Sequence, residues 1–123
     1  MTTYQLLLRF SGIREDEAGS FHEVDESLVR SWLDGSEDVP AEALRALRDL
    51  IARQERAAAE GLAVYRNLLA EHGRPAGIDL TVAKTVLGAQ KRGWPTVSAS
   101  EMVLARIIAG LDIDFKLVPD FSD

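Results

Sequence analysis

The sequence predicts a mainly α-helical chain that ends in a small α/β tail. Two observations carry this. Apolar residues recur at helical spacing from Tyr4 to Leu69, and from Ile78 onward two segments switch to strict apolar–polar alternation. Gly73 and Pro75 lie between the two regimes as a stop signal. Hydrophobic residues make up 46% of the 123 residues, enough for a core that needs no covalent staples.

Tyr4 to Phe10 is apolar-rich, ends at Ser11-Gly12 and reads as a first short helix. Arg14 to His22 is a second, with Ala18 and Phe21 on one side. Asp25 is placed to cap a third helix, because a carboxylate oxygen accepts from first-turn amides. Leu28, Val29 and Trp32 give that helix an inward face, and Gly35 ends it by taking the left-handed conformation at no steric cost. Pro40 opens the next helix, where its missing N–H is harmless. Ala41 to His72 is then one long helix, or two broken near Gly61. Its stripe runs through Leu44, Leu47, Leu50 and Ile51, then Leu62, Tyr65, Leu68 and Leu69.

Beyond the stop, Ile78, Leu80 and Val82 alternate with Asp79 and Thr81 as in a half-buried strand. Ala83 to Arg92 reads as a short helix and Gly93-Trp94-Pro95 as a turn. Ser98 to Glu101 fits a capping box ahead of a helix bearing Met102, Leu104, Ala105, Ile108 and Leu111. Asp112 to Val118 alternates again and reads as a second strand.

Composition narrows the function classes. The chain has no cysteine, which removes disulfides and thiolate metal sites. Met1 to Phe10 lacks the basic start and apolar run of a secretory signal, and no stretch approaches the ~18 apolar residues of a membrane span. The expected location is the cytoplasm. Net charge is −6, and residues 1–35 hold seven acids against Arg9, Arg14 and Arg30, a balance of −4. That acidity opposes duplex binding, which rests on basic groups neutralising phosphates.

The most informative stretch is Val24 to Gly35, VDESLVRSWLDG. It resembles the turn and recognition helix of the lambda-repressor-like helix-turn-helix family at Val24, Asp25, Leu28, Val29, Trp32 and Gly35. With those apolar residues inward, Glu26, Ser27, Arg30 and Ser31 face out. Two registers fit the first half of the motif. The gapless one, with the family's Gly12–Gly35 spacing, puts His22 at a core leucine position and Glu23 at the tight-turn glycine. The other inserts one turn residue and buries Ala18 and Phe21, with His22 near the turn; it is preferred because it buries apolar groups. The wider layout is similar to the YdiL-like regulators, which include one type of anti-CRISPR-associated repressor and whose C-terminal part makes a homodimer. The resemblance implies a dimeric transcriptional regulator that binds double-stranded DNA.

Each candidate has a plainer alternative. Trp32 is best read as a core anchor. Arg30 is the best base or phosphate reader, because its planar fork suits guanine edges and phosphate oxygens, but it is also placed to pair with Glu26 four residues earlier. His22 and His72 lie far apart in sequence and belong to no metal-binding pattern. Glu15-Asp16-Glu17 is a solvated helix start rather than an acid–base pair. No GxGxxG or P-loop spacing is present. Lys84, Lys91, Arg92 and Trp94 form a basic–aromatic group, better read as a helix end with Trp94 in a core or interface. The expectation is therefore a helix-turn-helix helical domain over 1–74 and a small α/β dimerisation region over 75–123. Ser27, Arg30 and Ser31 would meet bases, and Arg9 and Arg14 phosphates. No cofactor, no metal, no membrane and no enzymatic activity are expected. A protein-interaction module on the same scaffold, without DNA binding, is the alternative.

Overall fold

In the computed structural model, residues 1–75 and 77–123 are described. Among them the element order is α1 Thr3–Ser11, α2 Glu15–His22, α3 Glu26–Asp34, α4 Ala41–His72, β1 Ile78–Ala83, α5 Val86–Lys91, α6 Val97–Gly110 and β2 Phe115–Asp120. The protein is mainly α with a small two-stranded sheet near its C-terminal end, as its periodicity predicts. It divides within α4 into two compact units, Met1–Arg53 and Gln54–Asp123.

The first unit buries Tyr4, Leu8, Ile13, Ala18, Val29, Trp32, Ala43, Leu47 and Leu50. α1 is capped by Thr2, whose hydroxyl accepts from the Gln5 amide at 3.1 Å. α3 begins after Asp25, but the Asp25 carboxylate makes no cap bond, contrary to the sequence reading. The first-turn amides of Leu28 and Val29 bond its backbone carbonyl instead, at 3.0 and 3.3 Å. Gly35 ends the helix at φ +81°, the left-handed role foreseen for it.

The preference for an extra turn residue after α2 is overturned. α2 runs through His22, and Glu23 itself takes the left-handed conformation at φ 59°, ψ 45°. This is the gapless register. It prevails because His22 has ring and hydrogen-bonding partners in the core, and because Gly19 lets the turn fold tightly over α2. A Cβ on Gly19 would lie 3.1 Å from the Val24 carbonyl oxygen. Ala18 is buried in this register too, while Phe21 is only half-buried.

α4 is a single helix of 32 residues and does not break at Gly61. One interior glycine costs only about 1 kcal/mol, and here it allows close packing, since a Cβ on Gly61 would lie 2.8 Å from Ile107 Cδ1. Pro40 precedes the first helical residue, and its carbonyl accepts from the amides of Ala43 and Leu44.

In the second unit, Ala58 of α4 packs with Val103 and Ile107 of α6, flanked by Leu62, Tyr65, Trp94 and Phe115. β1 and β2 pair in parallel from Ile78↔Phe115 to Ala83↔Asp120, and α5 and α6 supply the crossover that parallel pairing requires. β2 starts at Phe115 rather than Asp112, because the Asp114 carbonyl is where the Ile78 amide enters the ladder, at 2.9 Å. α6 starts earlier than the expected capping box. Thr96 is its cap and accepts from the Ala99 amide at 3.0 Å, so Ser98 already lies within the first turn.

Candidate nucleic-acid interface

α3 is held from one side and open on the other. Val29 and Trp32 are buried at 1% and 3% exposure. Trp32 meets Tyr4 of α1 edge-to-face with ring centroids 5.6 Å apart, and His22 of α2 at 5.5 Å. His22 Nε2 and the Tyr4 hydroxyl are 3.0 Å apart. Burial pushes the His22 imidazole below its ordinary pKa. Burial, and then the charge of Glu15, push the Tyr4 phenol up to about 12. This ring cluster fixes the axial rotation of α3, and with it the direction of its outer residues.

Ser27 and Arg30 are exposed on that outer face and Ser31 is half-buried. Ser31 is less available than its position suggests. Its hydroxyl donates to the Ser27 carbonyl at 3.2 Å, and its carbonyl accepts from the Glu37 amide at 3.1 Å. Arg30 forms no ion pair with Glu26 among the described residues. Its guanidinium is therefore the free donor fork on the face.

Arg9 and Arg14 line one groove of about 560 Å³ between α1 and α2, together with Gln5, Leu8, Glu15 and Asp16. The Arg14 guanidinium pairs with Asp16 at 3.0 Å, with both side chains in solvent. An exposed pair of this kind is worth little and is readily exchanged for another anion. The structure thus gathers Arg9 with Arg14, and Ser27 with Arg30 and Ser31.

The surroundings of α3 are acidic. Glu23, Asp25, Glu26, Asp34, Glu37 and Asp38 are all exposed, against Arg30 alone over the same span. Hydrogen bonds from the Ser36 hydroxyl and amide hold the Asp34 carboxyl below its ordinary pKa, so its charge is firm.

In the second unit the basic–aromatic group does not assemble as a binding surface. Arg92 bonds the Thr81 carbonyl at 3.1 Å and Asp120 at 2.8 Å, and Lys91 bonds the Asp123 carbonyl. Trp94 packs against the Ala58–Val103–Ile107 cluster. Sequence reasoning did not anticipate buried Gln54, whose amide donates to the Ala99 carbonyl at 3.1 Å and accepts from Arg106 at 3.3 Å. Its position in step with Leu47, Ile51 and Ala58 was the available signal.

Among the described residues no group of three or more His, Asp or Glu side chains is placed to hold a metal ion, and no helix is long and apolar enough to cross a membrane. Comparison of the chain with protein-family models gives no match, and comparison with curated proteins gives none either.

Proposed function

We propose that this chain is a cytoplasmic, homodimeric transcriptional regulator of the helix-turn-helix type, with no catalytic activity, that binds double-stranded DNA through the outer face of α3. The observation that supports it best is the free Arg30 guanidinium on a helix whose opposite face is anchored by Val29 and Trp32. In a helix-turn-helix complex the second helix enters the major groove, where an arginine fork matches guanine O6 and N7. Ser27 is a second reader, Ser31 chiefly positions the end of α3, and Arg9 and Arg14 serve phosphates. A second copy fits the apolar surface left open on the other unit. Val64, Leu68, Leu87, Leu117 and Phe121 are exposed there, and a two-stranded sheet has two unpaired edges.

The six carboxylates around Arg30 weaken this binding and make it dependent on low salt. They also favour a second reading, in which the same scaffold binds a protein with a basic surface. Selection from a pool of random duplexes at low salt, with wild type and Arg30→Ala in parallel, separates the two. The regulator reading expects the wild type, sedimenting at about twice its 13.5 kDa chain mass, to enrich an inverted repeat. Its half-sites should lie about one helical turn apart. Arg30→Ala should lose about 1–3 kcal/mol of affinity and relax one base position. No retention of any duplex at low salt would leave the interaction module as the better account.

A further inference from the structure

We propose that the homodimer, on whose existence this assignment rests, forms by antiparallel pairing of two β2 strands about a two-fold axis at Val118, giving one four-stranded sheet. Within one chain the sheet is small. Among the described residues it consists of β1 and β2 alone, and a sheet is more stable with three or more strands over an apolar face than with two. The amides of Ile78 and Lys84 donate to the Asp114 and Asp120 carbonyls, so the even-numbered residues of the two strands turn their backbone groups toward each other and the odd-numbered ones turn theirs outward. The outer edge of β1 is already engaged, since Arg92 donates to the Thr81 carbonyl at 3.1 Å. The outer edge of β2 is open. Phe115, Leu117 and Pro119 turn their backbone groups out there, and the missing N–H of Pro119 breaks no bond to β1.

The apolar face beside that edge is only partly covered. Leu80 and Val82 of β1 are buried, whereas Leu117, the register partner of Leu80, is 53% exposed. Leu117 borders an apolar groove of about 280 Å³ with Met102, Ala105 and Ile108 of α6. Charge selects a second β2 as the occupant, and with it the register. Lys116 and Asp120 lie two residues to either side of Val118. A two-fold axis there sets Lys116 of each copy opposite Asp120 of the other, and opposite charges directly across a sheet stabilise the pair. Lys116 has no ion pair within its own chain among the described residues and is free to make this one. The same axis sets Leu117 opposite Pro119, whose carbonyl accepts from the Leu117 N–H, and brings exposed Phe121 opposite Phe115. Neighbouring axes are worse. At Leu117, Asp114 would face Asp120. At Lys116, the two lysines would face each other. At Pro119, two residues without an N–H would meet.

The full chain has no cysteine, so a single introduced cysteine reports the pairing cleanly. Val118 would meet its own copy at a non-hydrogen-bonded position, with Cα atoms about 4.5 Å apart, within disulfide reach. Val118→Cys should therefore form a covalent dimer on mild oxidation. Lys116→Cys should not, because four residues of offset place it about 13 Å from its copy. Lys116→Glu, which sets like charges against Asp120 twice, should weaken self-association about tenfold in sedimentation. Should Val118→Cys fail to fold, Lys116→Glu still decides the matter. A wild type that sediments as a dimer while folded Val118→Cys gives no cross-link, or while Lys116→Glu associates equally well, overturns the β2 interface and leaves the homodimer standing. Cross-linking of Lys116→Cys overturns the axis at Val118. A monomeric wild type overturns interface and homodimer together.

Discussion

At the scale of single residues, Glu23 stands out because a side chain occupies backbone space that favours glycine. A left-handed conformation costs an L-residue about 1–2 kcal/mol, and Glu23 adopts it at φ 59°. Glycine relieves that strain but adds freedom to the unfolded chain. The expected net effect of Glu23→Gly is a gain of about 0.5–1 kcal/mol, read as a higher urea midpoint at unchanged slope. An unchanged or lower midpoint would show that the turn holds Glu23 without strain. Residue identity also explains why the register of this turn was misread from sequence. Histidine counts as polar, yet His22 sits half-buried because Tyr4 meets its nitrogen and Trp32 packs against its ring in a T-shaped pair. Partners brought from other helices leave no trace in local periodicity. By contrast, Val29, Trp32 and Gly35 were legible, since their roles follow from helical spacing and one left-handed cap.

At the scale of elements, α3 depends on its anchor more than on its ends. It lacks a side-chain cap at Asp25, and its last turn carries the acid Asp34 where a base would suit the helix dipole. A helix of 9 residues with weak termini is stabilised by its packed face. Trp32→Ala should therefore cost about 3–5 kcal/mol, measured as a fall in the thermal midpoint. No change would mean that α3 is not held by this ring. Helix existence was readable throughout, while ends were less so. Thr96 rather than Ser98 caps α6, because both hydroxyls suit the role and only the extended backbone at φ −140° decides between them. The continuity of α4 through Gly61 was equally open, since the packing of Ile107 against that glycine is a long-range fact.

At the scale of the whole molecule, the order of helices, stop, strand, helices and strand was legible, but the parallel pairing of β1 with β2 was not, because alternation carries no strand direction. The candidate face on α3 was legible as a set of outward positions. So was the balance between Arg30 and the six carboxylates from Glu23 to Asp38; the structure adds that all six are exposed. That balance decides how strongly the face binds, and it can be measured directly. Amide shifts of the isotopically labelled full chain, recorded while a mixed-sequence duplex is added at low salt, report which surface the duplex meets. Binding through α3 predicts shifts at Ser27 and Arg30, with Arg9 and Arg14 following, all reversed by added salt. Shifts confined to Gln54–Asp123, or none at all, would contradict it.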